Sequence, residues 1–112
     1  MYNIVLVCMH GASTDLLARK MMKAAEGEQV PANINAHPDT KLDVYIEDAD
    51  IVLVGPQLAY RVDGYKKKYE TKRIPILAIN TMDYGMMDGE KILKNAIRII
   101  DEERGNSHGE VH

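Results

Sequence analysis

The sequence predicts an α/β domain in which helices cover both faces of a four-stranded parallel sheet. Two observations support this fold class. First, uninterrupted apolar runs are typical of strands buried on both faces of a parallel sheet, and they occur at Ile4 to Val7, Ile51 to Val54 and Ile76 to Ile79. Second, segments with helical spacing of apolar residues lie between the strands, so strands and helices alternate along the chain.

The composition indicates one globular domain. The chain has 112 residues, and we expect a single domain over residues 1–105 followed by a flexible C-terminal tail over residues 106–112. With 14 basic and 17 acidic side chains the formal net charge is -3, which argues against nucleic acid as a partner. The one dense basic run, Lys66 to Lys68, falls on a predicted helix and is interpreted as a solvated face.

Cys8 is the only cysteine, so the chain forms no internal disulfide and no zinc site of the CxxC type. A free thiol is most at home in a reducing compartment, and we expect a cytoplasmic location. The start of the chain lacks a basic segment, and Ile4 to Met9 is too short for a signal sequence or a membrane span. We therefore expect no direct membrane insertion, and no metal or other cofactor.

The first half of the chain predicts two strands and a long helix. Ile4 to Val7 forms a central strand, and a helix capped by Ser13 or Thr14 ends near Gly27. A weaker strand, nearer an edge of the sheet, covers Ala32 to Ala36. We interpret His37 as an exposed loop histidine. The apolar positions of the helix are Leu16, Leu17, Met21, Met22, Ala24 and Ala25.

The second half repeats the alternation. A short helical stripe of Leu42, Tyr45, Ile46 and Ala49 precedes the strand Ile51 to Val54. After the break at Gly55 to Gln57, a helix leads to the strand Ile76 to Ile79. Residues 80–89 predict a loop rich in glycine and methionine, and the last helix runs from Asp88 or Gly89 to Gly105.

The topology predicts where a ligand binds. Right-handed crossovers and the strand order 2-1-3-4 of flavodoxin-like folds place a reversal point between the first and third strands. Ligands bind there at the carboxyl ends of the strands, so Cys8 to Thr14 is expected to face Gly55 to Gln57. The fourth strand contributes the loop through Tyr84.

Cys8 lies between a buried strand and a predicted helix N-terminus. Backbone N–H groups and the helix dipole favour negative charge there, so the thiolate is stabilised and a phosphate can be held. The alternative is that Cys8 is a small buried hydrophobe, which is the commoner role of a cysteine that ends an apolar strand. Its position at the predicted ligand edge favours a nucleophile.

This loop resembles the phosphate loop of low-molecular-weight tyrosine phosphatases, in which an arginine follows the cysteine by six positions. Here that position is Thr14. A threonine lacks the guanidinium that clamps phosphoryl oxygens, so the loop is poorly equipped for hydrolysis. A cysteine-dependent phosphatase of this type remains an alternative, as does a non-catalytic flavodoxin-like binding domain.

A second resemblance covers nearly the whole chain. Cys8 to Thr14, followed by Leu16-Leu17 and Lys20-Met21, resembles the C-x-x-G-x-S-T-x-L-L-x-x-K-M segment of enzyme IIB of the lactose/cellobiose/chitobiose class of the sugar phosphotransferase system. The similarity continues through Ala49 to Tyr60, Tyr84-Gly85 and Asp88-Gly89.

The resemblance implies a phosphocarrier that works with two partners. Its cysteine accepts a phosphoryl group from a phosphohistidine of enzyme IIA and passes it to the sugar bound by the membrane permease, enzyme IIC. Carried over by position, Cys8 is the catalytic nucleophile. The implied phosphate-binding loop consists of Met9, His10, Gly11, Ala12, Ser13, Thr14 and Asp15, and the implied site wall consists of Gly55, Pro56, Gln57 and Tyr84.

Two residues depart from the family pattern. The family usually has a small residue at the position of His10, which we interpret as a solvent-exposed loop residue. It commonly has serine at the position of Asp15, whose carboxylate suits the dipole of the first helical turn but repels a nearby dianion. The affinity of the loop for phosphate therefore depends on where the Asp15 side chain points.

Overall fold

The four strands form one parallel sheet in the order β2-β1-β3-β4, as predicted. The structure is a computed structural model, which describes residues 1–9 and 11–109. Strand β1 (Tyr2–Cys8) is central and mostly buried, since its neighbours β2 and β3 pair with it on either side. The other strands are β2 (Ala32–Pro38), β3 (Ile51–Val54) and β4 (Ile76–Ala78).

In the part of the chain that the structure describes, five α-helices connect or follow the strands. They are α1 (Gly11–Gly27), α2 (Leu42–Tyr45), α3 (Val62–Lys68), α4 (Thr81–Gly85) and α5 (Gly89–Gly109). Short 3-10 segments flank the smaller helices at Asp39–Lys41, Ile46–Asp48, Pro56–Arg61 and Glu70–Lys72. The described helices include none long and apolar enough to cross a membrane.

One face of the sheet is covered by the two long helices, α1 and α5. Leu17 and Met21 of α1 and Leu93 of α5 are fully buried in the same core cluster as Ile4 and Leu6 of β1. These residues belong to the predicted apolar stripes. The stripes predict packing because residues three or four apart share one side of a helix.

Gly89 allows α1 and α5 to approach closely. A Cβ atom at this position would lie 2.8 Å from the backbone carbon of Lys20 and 2.9 Å from the backbone nitrogen of Met21. The first residue of α5 therefore sits directly against the α1 backbone, which only glycine permits without a shift.

The opposite face is covered by α2, α3 and their flanking 3-10 segments. Its core cluster joins Val5 and Val7 of β1 to Leu42 and Ile46 of the α2 region and to Leu58. The cluster is smaller, because these helical segments are short and present few inward positions each.

The structure corrects several predictions about local structure. Helix α4 occupies part of the predicted loop over residues 80–89, because the Asn80 side chain accepts the backbone N–H groups of Met82 and Asp83 and caps it. Helix α5 continues to Gly109, four residues beyond the predicted end at Gly105. Leu16 is 46% exposed and Tyr45 is 40% exposed, so neither belongs to the core.

A further correction concerns His37. It lies within β2 and is half-buried, whereas the sequence predicted an exposed loop residue. Its ring stacks on Tyr45 with 3.4 Å between the ring centroids. The Lys66 to Lys68 run is exposed on α3, as predicted.

Candidate functional site

Cys8 ends strand β1 at the carboxyl edge of the sheet. It is 4% exposed, and it pairs with Pro38 of β2 in the parallel ladder. Helix α1 begins only three residues later, at Gly11. The first N–H groups of a helix have no acceptor within the helix, and its dipole is positive at that end. The strand-loop-helix geometry predicted for Cys8 is therefore present.

Thr14 contacts the sulfur directly. Its side chain is fully buried, and its Oγ1 hydroxyl donates a hydrogen bond of 2.7 Å to the Sγ atom of Cys8. Since Thr14 is the fourth residue of α1, this bond fixes the sulfur beside the first turn of the helix. A hydroxyl donor stabilises a thiolate, and it can equally hold an oxygen of a phosphoryl group on that sulfur. A merely packed cysteine needs no such partner.

The Gly55–Gln57 segment lies next to Cys8, as the topology predicts. The Gly55 N–H donates to the carbonyl oxygen of Val7 at 2.8 Å. A Cβ atom placed on Gly55 would lie 3.9 Å from the Cβ of Cys8 and 3.1 Å from Oε1 of Gln57. Gly55 is buried, Pro56 is half-buried and Gln57 is exposed, so Gln57 is the member of this segment that solvent reaches most freely.

The structure also places two other candidate residues, Asp15 and Tyr84. Asp15 is exposed, and its Oδ2 accepts a hydrogen bond of 3.0 Å from Nη2 of Arg19, one turn along α1. The guanidinium partly offsets the charge of the carboxylate. Tyr84 is 8% exposed and belongs to the core cluster of the α1–α5 face, so its ring acts as core packing.

The loop itself is described only in part. Met9 is 47% exposed and lies directly after Cys8. The backbone of Gly11, Ala12 and Ser13 forms the start of α1. The predictions for His10, for the Ala12 and Ser13 side chains and for residues 110–112 concern parts of the chain that lie outside the described residues. Within residues 1–9 and 11–109, no cluster of three or more His, Cys, Asp or Glu residues is placed to hold a metal ion.

A polar cluster that the sequence did not predict joins the end of β2 to the segment after β3. Asp39 follows Pro38, the ladder partner of Cys8, and its Oδ2 accepts from Nη1 of Arg61 at 3.2 Å and from the Tyr65 hydroxyl at 3.4 Å. Burial, and next the Asp39 carboxylate, raises the pKa of Tyr65. The three side chains come from separate elements, so no local spacing indicates the cluster.

Comparisons with known proteins agree on one family. The family profile described as "PTS system, Lactose/Cellobiose specific IIB subunit" matches residues 3–95. An oligo-beta-mannoside-specific EIIB component of Bacillus subtilis is 34% identical over 100 residues, which is 89% of this chain and 97% of that protein. A cellobiose-specific EIIB component of Lactococcus lactis is 35% identical over 102 residues, which is 87% of this chain and 94% of that protein.

Solved structures support the same fold. The cellobiose-specific phosphotransferase IIB component of Borrelia burgdorferi superposes with a TM-score of 0.77 at 37% identity, covering 91% of this chain and 94% of that one. The lactose-specific IIB domain of Streptococcus pneumoniae gives a TM-score of 0.78 over 88% of this chain and 96% of that one. At 19% identity, the second likeness is evidence for the fold alone.

Proposed function

The chain belongs to the lactose/cellobiose-specific IIB family of the sugar phosphotransferase system, and we propose that it carries the phosphoryl group on the sulfur of Cys8. As a family member it is a phosphotransferase component and a phosphocarrier in sugar uptake. The observation that supports Cys8 as the carrier is the hydrogen bond of 2.7 Å from Thr14 Oγ1 to Sγ, at the N-terminal turn of α1.

We propose two transfers at this sulfur. In the first, the Cys8 thiolate attacks the phosphorus of a phosphohistidine on enzyme IIA, so that the P–N bond breaks as the S–P bond forms. In the second, a sugar hydroxyl attacks the same phosphorus, the S–P bond breaks and the hydroxyl proton is lost. The first transfer leaves the sulfur phosphorylated, and the second returns it to the thiolate. Both forms carry negative charge, so a hydroxyl donor at Thr14 suits both.

Thr14 also explains why the group is passed on rather than hydrolysed. A phosphatase of the related fold has a guanidinium at this position, which stabilises the transition state through two parallel hydrogen bonds. Thr14 offers one hydroxyl from a fully buried side chain. We expect negligible hydrolysis of p-nitrophenyl phosphate, and several turnovers per second that depend on Cys8 would favour the phosphatase alternative.

The surface around the site suits two successive protein partners. Met9, Met82 and Met86 are 47%, 72% and 69% exposed, and they follow the carboxyl ends of β1 and β4. Parallel strands end at one edge of the sheet, so the segments that carry these side chains start from the same edge as the one that follows Cys8. Methionine adapts to different partners, which suits a surface that enzyme IIA and the permease enzyme IIC contact in turn. We propose a cytoplasmic location beside the permease.

Intact-mass spectrometry tests the assignment of Cys8. The chain is incubated with phosphoenolpyruvate, the general phosphotransferase proteins and an enzyme IIA. We expect a gain of about 80 Da, the mass of one phosphoryl group, and its loss in Cys8→Ser. Thr40→Ser is a matched control, because it makes an equally small change at an exposed position. Labelling of Cys8→Ser to the same extent as the parent would refute the proposal.

A further inference from the structure

A groove of about 450 Å³ lies against strand β2, on the face that points away from α1 and α5. Successive residues of a strand point to opposite faces, and β2 separates them by polarity. Ala32, Ile34 and Ala36 pack against the core of the α1–α5 face. Asn33, Asn35 and His37 point the other way and line the groove.

The α2 region forms the opposite wall. Val44 and Tyr45 of α2 and Asp48 of the following 3-10 segment line the groove. The Tyr45 ring stacks on His37 with 3° between the ring planes, which joins this wall to β2. Val44 is 66% exposed, so the wall also offers an apolar patch.

The groove presents oriented hydrogen-bonding groups. Nδ2 of Asn35 donates to Oδ1 of Asn33 at 3.0 Å, which holds the two amides in place. The Oδ1 acceptor of Asn35 and the amide donors of Asn33 remain for a ligand. Burial lowers the pKa of His37, so its ring is neutral at physiological pH and has one donor and one acceptor nitrogen.

The charges in the groove restrict the kind of ligand. Among the described residues that line it, Asp48 is the only carboxylate, and none is a lysine or an arginine. A phosphate or carboxylate ligand would meet one negative charge and no positive one. Amides, a carboxylate and a phenol beside an aliphatic patch instead match vicinal hydroxyls on a ring that carries C–H groups. The volume is within the range of small-molecule sites, about 300 to 1,000 Å³.

We propose that this groove binds a neutral polyhydroxylated ring, the chemistry of a saccharide. Asn33, Asn35 and Asp48 bond the hydroxyls, and Val44 and Tyr45 contact the apolar side of the ring. The site is separate from Cys8, which does not line the groove. It therefore stands whether or not Cys8 carries a phosphoryl group.

Titration of the isotope-labelled full chain with cellobiose, followed by amide NMR, tests the proposal without any phosphoryl donor. We expect saturating shifts of the Asn33 and Asn35 side-chain amides. Asn35→Ala should weaken binding about tenfold, the effect of one hydrogen bond of ordinary strength. Asp48→Asn preserves shape and should also weaken it. Asn95→Ala is the matched control, because Asn95 is an exposed amide on α5 that bonds Arg98.

Three results would overturn the proposal. One is the absence of saturating shifts with cellobiose. Another is equal binding of glycerol or inorganic phosphate at the same residues, which would remove the ring and charge selectivity. The third is cellobiose binding that Asn35→Ala and Asp48→Asn leave as strong as in the Asn95→Ala control.

Discussion

The two faces of the sheet are held in place by different interactions. On the α1–α5 face, two long helices share one apolar core, and Gly89 allows them into backbone contact. On the opposite face, polar contacts near the surface join short helical segments that are distant in the chain. These contacts are Asp39 with Arg61, Asp43 with Lys68 and Tyr69, and Glu47 with Lys72.

The candidate site draws on both faces. Thr14, which contacts the sulfur, belongs to the long and well-packed α1. Gln57 belongs to the Pro56–Arg61 3-10 segment of the other face, and Gly55 directly precedes that segment. A donor needs a precise position to stabilise charge, whereas a wall that two partners contact benefits from adaptability. We infer that the well-packed α1–α5 face supplies the chemistry and the more polar face supplies the approach to it.

The substitution with the largest expected effect tests, at the site, whether the two faces have these different roles. Thr14→Val removes the hydroxyl that bonds Sγ and keeps a similar volume. Phosphoryl acceptance from phosphorylated enzyme IIA should slow by about a hundredfold, because one lost donor to a developing charge has that order of effect. Gln57→Ala should change the rate far less. Quenched-flow labelling with mass detection measures both.

Thr14→Ser is the control, because it keeps the hydroxyl and should retain most of the rate. Thermal unfolding of each variant identifies losses due to misfolding. A Thr14→Val protein that is folded and labelled as fast as the parent would show that the hydroxyl is structural. A Gln57→Ala loss as large as that of Thr14→Val would contradict the division between the faces.

The next effect concerns helix packing. Gly89→Ala should lower the free energy of unfolding by about 1 to 3 kcal/mol, because the added carbon overlaps the Lys20 and Met21 backbone and α1 must shift. Gly64→Ala, on α3 of the other face, adds a carbon with nothing within 4 Å. It should raise the stability by about 0.5 to 1 kcal/mol through helix propensity. Chemical denaturation of the pair gives both values.

Equal stability changes in the two glycine variants would show that the faces do not differ in packing. The Gly89→Ala variant also tests the site, because a shift of α1 displaces Thr14 from the sulfur. Its phosphorylation rate should therefore fall along with its stability, whereas the rate of Gly64→Ala should stay at the parent value.

A smaller effect tests the polar contacts of the second face. Tyr69 is 8% exposed, and its hydroxyl donates to Oδ1 of Asp43. Burial, and next the bond to Asp43, raises the pKa of Tyr69. Tyr69→Phe should cost about 1 kcal/mol of unfolding free energy, the typical net value of a hydrogen bond. Tyr60→Phe is the control, because Tyr60 is 70% exposed and should change the stability very little. Equal losses in the two variants would contradict a specific tether.

The sequence predicts the sheet better than it predicts the short helices. Strands β1 and β3 are buried on both sides, and their apolar runs predict strand type and position directly. Helix α4 has only five residues and lies among glycines and methionines, and the Asn80 cap stabilises it. A stripe pattern cannot indicate so short a helix, since it covers little more than one turn.

The site is predictable in its position but not in its contacts. The carboxyl ends of parallel strands meet at one edge, so Cys8 and Gly55 were expected to lie together. That Tyr84 forms a site wall stays a prediction, and its ring packs in the core. The stack of His37 on Tyr45 was missed, because the two residues lie in different elements and neither spacing nor residue type indicates a ring contact.

The smallest expected effect concerns that stack. Burial lowers the pKa of His37 from its reference value of 6.5. As the pH falls through that value, the unfolded chain takes up a proton that the folded chain resists, so the free energy of unfolding decreases. The loss begins near the unfolded pKa of 6.5 and is complete below the folded one. His37→Gln removes this term, so the stability difference between variant and parent should change between neutral and mildly acidic pH.

Asp43 does not titrate in the pH range where His37 does. The Tyr69 hydroxyl and Lys68 lower the pKa of Asp43 below its reference value of 3.8, so Asp43 titrates at more acidic pH. The remaining histidines are present in both proteins and cancel in the difference. Denaturation at a series of pH values measures the effect, and the His37 ring resonances give its folded-state titration. A stability difference that is constant across the window would mean that His37 titrates as it does in the unfolded chain, and the stack would then not exclude solvent. A difference that changes as expected would show that the second face, though joined by polar contacts, still buries an ionisable ring against Tyr45.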